Sequence, residues 1–207
     1  MNETLSLFGL STTPLELLSS LLSVITVWLN IRQNHWGWLF AILSSALFGA
    51  LFYQSKLYGD MGLQVVFIVV SFWGWYQWLS GDDTHDRLPV TELSWAGRGV
   101  AALGWIAGFI ALAWFLMMFT DTDVPFTDGL LTAGSLVGQL LLSRKKIENW
   151  HVWIIVDVLY VALYVHKGLI LTAVLYGMFV VMAGFGLAAW RRSMDGLHEA
   201  DTAMVLK

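Results

Sequence analysis

Trp150, Trp153, Asp157, Tyr160 and Tyr164 follow one another in steps of 3, 4, 3 and 4 residues, the spacing that puts five side chains on one face of an α-helix. No Lys or Arg occurs between Ile147 and His166. A carboxylate in the middle of so apolar a helix costs about 2.5 to 3.5 kcal/mol on insertion scales, so Asp157 must face protein or a wet cavity rather than hydrocarbon. One chemistry that fits is recognition of a cationic or hydrogen-donating solute by Asp157. Trp150 and Trp153 would then stack on a flat ring, with a cation–π contribution of about 0.5 to 2 kcal/mol. The alternative is an acid bonded to neighbouring helices, with two indoles in an interfacial belt.

A second stripe, Asp128, Thr132, Ser135 and Gln139, steps by 4, 3 and 4. Thr132 and Ser135 read most simply as hydroxyls bonded to their own backbone or to a neighbouring helix. Gln139 stands out as a site candidate. Ser19, Ser23, Thr26 and Asn30 take the same steps and suggest a matching wall. Gln64 and Tyr176 are two further candidates for a polar lining, each equally readable as a packing hydrogen bond. The aromatic run WGWYQW at residues 73–78 reads as a belt at the membrane interface. Lys56, His166 and Lys167 read as solvated helix ends.

Helices must hold these faces, and the charges mark where the helices stop. The chain has 207 residues, 57% hydrophobic and 13% charged, against about 25% charged in an ordinary soluble domain. Its mean hydropathy is +0.68, which excludes a soluble globular protein. The net charge of −4, with no basic stripe, excludes a nucleic-acid binder. The absence of cysteine removes disulfides and thiolate chemistry together. Reading from charge to charge gives seven apolar stretches, 17–31, 36–55, 61–79, 99–119, 129–143, 149–165 and 168–190, each a candidate membrane span. The first and fifth are short and need Glu16 and Asp128 at the interface. No Lys or Arg occurs in the first 13 residues, so the start lacks the basic region of a cleaved leader, and the first stretch is expected to remain as a span.

With seven spans the two ends lie on opposite sides. Lys56 and Lys167 fall on the side of the N-terminus, against Arg32, Arg87, Arg98, Arg144, Lys145, Lys146, Arg191, Arg192 and Lys207 on the other. The basic excess predicts the N-terminus outside and the C-terminus in the cytoplasm.

Residues 14–78 align without gaps on residues 126–190 at a constant offset of 112. Arg32/Arg144, Trp38/Trp150, Gly74/Gly186 and Trp78/Trp190 are among 15 identities in 65 positions. The alignment pairs Gln64 with Tyr176 and Ser45 with Asp157. The expected architecture is an all-α integral membrane protein of seven transmembrane helices arranged as a 3+1+3 parallel duplication. Its parts are a first repeat at 14–79, a charged linker and lone fourth helix at 80–125, a second repeat at 126–190 and a cytoplasmic tail at 191–207. Parallel repeats of this kind build carriers with a site near the midplane. Against an enzyme, HExxH, GxSxG and Walker motifs are all missing from the sequence. A retinal receptor lacks its lysine, since no Lys lies in the seventh stretch.

The segments LFGALFYQSKLYGDMGLQ (47–64), WGWYQW (73–78), RKKIENWHVWIIVD (144–157) and LYVHKGLILTAVLYGMF (163–179) resemble the Pnu family of bacterial vitamin transporters, whose members include nicotinamide riboside and thiamine carriers. The resemblance covers nearly the whole chain. It implies a SWEET-like three-one-three bundle, usually a homotrimer, in the bacterial inner membrane. It further implies facilitated uptake of an unphosphorylated vitamin, trapped by a cytoplasmic vitamin kinase, with no cofactor and no nucleic-acid partner. By similarity, the tryptophan pair and the polar residue of WxxWxxxN or WxxWxxxD contribute to the substrate site, here Trp150, Trp153 and Asp157, with Asn149 of the same ENWxxW segment beside them. Several riboside carriers have Asn where this chain has Asp157. Both candidate vitamins carry a permanent cationic ring that a carboxylate suits, and nicotinamide riboside is favoured over thiamine. Two other readings remain open, an ion-coupled carrier in which Asp157 relays protons and a non-transporting scaffold in which both stripes are helix glue.

Overall fold

A computed structural model describes the backbone of residues 5–7, 10–12, 14–54, 58–80 and 88–205, and side chains between residues 14 and 196 apart from those of 16, 52, 54 and 58–60 and the gaps in the backbone. The sequence expectations for Lys56, Arg87 and Lys207, and for the side chains of Glu16 and Phe52, lie outside the described residues. A short antiparallel pair, β1 (Leu5–Leu7) and β2 (Leu10–Thr12), precedes seven helices. These are α1 (Pro14–Ile31), α2 (Trp36–Gln54), α3 (Tyr58–Ser80), α4 (Trp95–Phe119), α5 (Pro125–Ser143), α6 (Glu148–His166) and α7 (Ile170–Val205).

Each of the seven apolar stretches is helical over its described residues save Gly168 and Leu169, and local caps together with distant partners account for the differences at their ends. Pro125 opens α5 at a position where its missing N–H costs nothing, which draws Asp128 into the first turn, where the helix dipole favours an acid. The 19 residues of α5 then reach about 28 Å at 1.5 Å per residue. Helix α4 begins at Trp95 because Ser94 caps it, its Oγ accepting the Gly97 N–H at 3.1 Å. Arg98 lies inside that first turn, its charge met by Glu148 at 2.9 Å and Glu92 at 3.2 Å. Helix α7 continues past Arg191 and Arg192 as one 36-residue rod, so the tail expected from residue 191 is helical through Val205. Among the described residues, four helices are long and apolar enough to cross a membrane, those containing Met61–Ser80, Trp95–Phe119, Glu148–His166 and Ile170–Gly196.

Helices α1, α2 and α3 pack in sequence, as do α5, α6 and α7, while α4 lies against α5. The two groups meet where α1 touches α7 and α3 touches α5. At one end of that boundary stand four buried tryptophans, Trp38, Trp78, Trp150 and Trp190, none more than 4% exposed. Trp38 meets Trp78 edge-on at 5.5 Å and 87°, and Trp150 meets Trp190 at 5.3 Å and 87°. The two pairs touch through Trp78 and Trp190 at 6.0 Å. Such edge-to-face pairs contribute about 0.5 to 1.5 kcal/mol beyond their buried area. The reading of the 73–78 run as an interfacial belt therefore fails at Trp78, which is core, whereas Trp73 and Tyr76 are exposed.

Gly74 and Gly186 make the close approach possible. A Cβ on Gly186 would stand 2.6 Å from the Trp150 ring, and one on Gly74 would stand 2.4 Å from that of Trp38. Gly186→Ala should overpack the seam and cost about 1 to 3 kcal/mol, read as a lower thermal midpoint of the purified protein. Gly184→Ala, with open space around it, is the matched control. Equal midpoints for the two variants would mean that the seam is not packed as described.

Candidate functional site

Helix α6 carries the candidate face, and its burial separates the five side chains. Trp150, at the start of the helix, is 2% exposed, wedged between Gly186 and Trp190. Its Nε1 is buried without a hydrogen-bond partner. Asn149 is fully buried, its Nδ2 donating to the Lys146 carbonyl at 2.7 Å while Oδ1 has no partner. These two residues belong to the tryptophan seam and leave one unused acceptor and one unused donor there. Trp153, one turn further on, is half-buried and packs across Gly138 of α5, where an added Cβ would lie 3.1 Å from its ring.

Asp157 follows one turn later. It is 5% exposed, and no hydrogen bond or ion pair joins it to another described residue. A buried carboxylate is expensive unless paired or hydrogen-bonded, which sets this residue apart from the rest of the helix. Beyond it stands an aromatic wall shared by α6 and α7. Tyr160 and Tyr164 stack at 5.7 Å and 11°, and Tyr176 lies 4.6 Å from Tyr160 and 5.2 Å from Tyr164. Phe179 closes it edge-on to Tyr176 at 5.6 Å.

Gln139 is 8% exposed, and its Nε2 donates to Ser71 Oγ of α3 at 3.3 Å, a polar link across the boundary between the two helix groups. Gln64 is half-buried against Gly49 of α2, and Tyr176 belongs to the wall on α6 and α7. Ser135 donates to the Leu131 carbonyl at 2.9 Å, the backbone bond expected of a membrane-helix serine, and Asp128 accepts from Thr122 at 2.6 Å. Trp153, Asp157 and Tyr160 thus follow one another on one face of α6, and Tyr176 of α7 joins them through Tyr160. Trp150 and Asn149 lie at the N-terminal end of α6, with Gln139 at the helix-group boundary.

Two features escaped the sequence. Trp105 of α4 donates Nε1 to the Leu130 carbonyl at 3.0 Å and packs against Gly134, fixing α4 to the helix behind the site. Glu148 accepts both the Leu93 N–H, at 3.1 Å, and Arg98 Nε, at 2.9 Å, so the ENW motif also anchors the segment ahead of α4. A separate cleft of about 450 Å³, lined by Arg98, Trp105, Glu148 and His151 among others, opens beside α4. None of the site candidates lines it.

The model of the nicotinamide mononucleotide transporter family matches residues 13–192. The chain belongs to that family. Among curated relatives, the riboflavin/roseoflavin transporter RibM of Streptomyces davaonensis is 28% identical over 179 residues, covering 84% of this chain and 83% of its own length. The nicotinamide riboside transporter PnuC of Escherichia coli is 25% identical over 204 residues, covering 86% and 85%. A crystal structure of the vitamin B3 transporter PnuC superposes with a TM-score of 0.71 at 20% identity, over 86% of this chain and 80% of that one, a likeness in fold. These relatives are transporters, not enzymes.

Proposed function

We propose that this chain carries an unphosphorylated, cationic B-vitamin compound across the bacterial inner membrane down its gradient, nicotinamide riboside before thiamine. The observation behind this reading is Asp157, a buried carboxylate with no partner among the described residues, one helical turn from Trp153 and one from the Tyr160–Tyr176 wall. A pyridinium ring offers what such a place lacks, a positive charge for the acid and a flat face for the aromatics. The carrier architecture is a parallel duplication of α1–α3 by α5–α7 with α4 between them. It is supported by contacts that recur at residues 112 positions apart, Trp38–Trp78 with Trp150–Trp190 and Gly74 with Gly186. The N-terminus lies outside, as the basic excess on the other side favours. Trapping by a cytoplasmic kinase and assembly as a homotrimer rest on the family resemblance.

Riboflavin is the second reading, favoured by the 28% identity to RibM, and it differs in needing no carboxylate because its ring is neutral. Purified protein in vesicles should equilibrate labelled nicotinamide riboside with no imposed proton or sodium gradient. Uptake that strictly requires a gradient would instead identify an ion-coupled carrier, and uptake of riboflavin alone would select the second reading.

A further inference from the structure

Among the described residues, two other than glycine have a left-handed backbone, Gln33 (φ 53°) and Lys145 (φ 47°). They stand 112 residues apart, at the ends of α1 and α5. Each closes its helix in the same way. The N–H of Gln33 reaches the Asn30 carbonyl and that of Asn34 the Leu29 carbonyl, at 3.0 and 2.9 Å. The N–H groups of Lys145 and Lys146 do the same to Leu142 and Leu141, at 3.0 and 2.9 Å. This is the Schellman end, whose left-handed position glycine fills by default because a side chain is strained there. Both turns accept that strain and keep a long polar side chain.

The two side chains meet across the boundary. Lys145, 5% exposed, donates from Nζ to Gln33 Oε1 at 3.4 Å, and its ammonium lies 4.8 Å from the centre of the Trp78 ring. The same two turns receive the tryptophans of the opposite helix group. Trp78 Nε1 donates to the Leu142 carbonyl at 3.1 Å, and Trp190 Nε1 to the Asn30 carbonyl at 3.0 Å. These are the carbonyls that Lys145 and Gln33 already use to close their helices. Parting the groups at this end breaks the Lys145–Gln33 and Lys145–Trp78 contacts and both tryptophan bonds together, while the helix-closing bonds remain.

We infer that Gln33 and Lys145, with Trp78 and Trp190, form a latch between the two helix groups on the cytoplasmic side. The latch is closed in this structure and must open to release cargo inward. The inference rests on the carrier reading and on the orientation proposed with it. Glycine is the relaxed residue at either turn, so Lys145→Gly should leave the thermal midpoint unchanged while freeing the latch. Ser143 is fully buried beside it, and Ser143→Cys offers a reporter in a chain without native cysteine. Thiol labelling of that cysteine should rise at least tenfold when Lys145→Gly is added. Unchanged labelling, or a rise matched by a fall in thermal midpoint, would make Lys145 a structural residue and overturn the latch.

The decisive experiment joins Gln33→Cys and Lys145→Cys with a cleavable bifunctional thiol reagent about as long as the side chains replaced. Linked protein in vesicles should take up nicotinamide riboside at least tenfold more slowly than unlinked protein. It should still bind the riboside within twofold by tryptophan fluorescence, and recover its rate on reduction. Equal rates linked and unlinked would overturn the latch and leave the carrier intact. Unlinked protein that neither binds nor moves riboside, thiamine or riboflavin would overturn the carrier reading, and the latch with it.

Discussion

Asp157→Ala is expected to abolish saturable uptake of nicotinamide riboside while leaving the protein as stable as before or more so. Removing one partner of a buried charge pair costs about 2 to 5 kcal/mol, and each 1.4 kcal/mol is tenfold in affinity, so the riboside should bind at least thirtyfold more weakly. The stability half of the expectation separates function from structure. An acid held by neighbouring helices would take part of the fold with it when removed, because breaking a buried pair is strongly destabilising. Asp157 is 5% exposed and has no partner among the described residues, so its removal deletes a cost rather than a bond. Uptake should be measured in vesicles and thermal midpoints in detergent, on the same preparations. A fall in midpoint with normal uptake would return Asp157 to the role of helix glue.

Trp153→Ala should weaken riboside binding by roughly tenfold to a hundredfold, the range expected when an aromatic platform under a base-like ring is lost, about 1 to 3 kcal/mol. Trp153→Phe should recover most of it, because a flat face remains. Trp150→Ala differs in kind. Its ring fills the space between Gly186 and Trp190, so truncation opens a cavity in the seam and should cost about 3 to 5 kcal/mol of stability. Fluorescence titration together with thermal melting distinguishes the two tryptophans. Unchanged affinity in Trp153→Ala protein would remove the stacking role.

What the sequence made legible followed from single-helix physics. Charges are costly in hydrocarbon, so the seven helices could be read between them, and Asp157 stood out because nothing on its own helix explains it. The misjudged ends reflect contacts between distant segments. Arg98 marked a boundary only until Glu148, 50 residues away, took up its charge inside α4. Trp78 and Trp150 resembled interfacial or stacking residues from their place near helix ends, yet their partners Leu142 and Trp190 come from other helices. Lys145 counted as one topogenic charge among several, and nothing in its local sequence indicates that it turns inward over Trp78. Periodicity places a side chain on a face; it does not say which helix that face will meet.

The charge of the bound ring is the most direct test of the account. Nicotinamide riboside and its reduced dihydropyridine form share a shape and differ in one positive charge. Their dissociation constants should be compared on the native chain and on Asp157→Asn. The native chain should favour the cationic form by at least tenfold, and the variant should bind the two forms nearly equally. The same ratio in both proteins would contradict the account, because Asp157 would then not face the cargo.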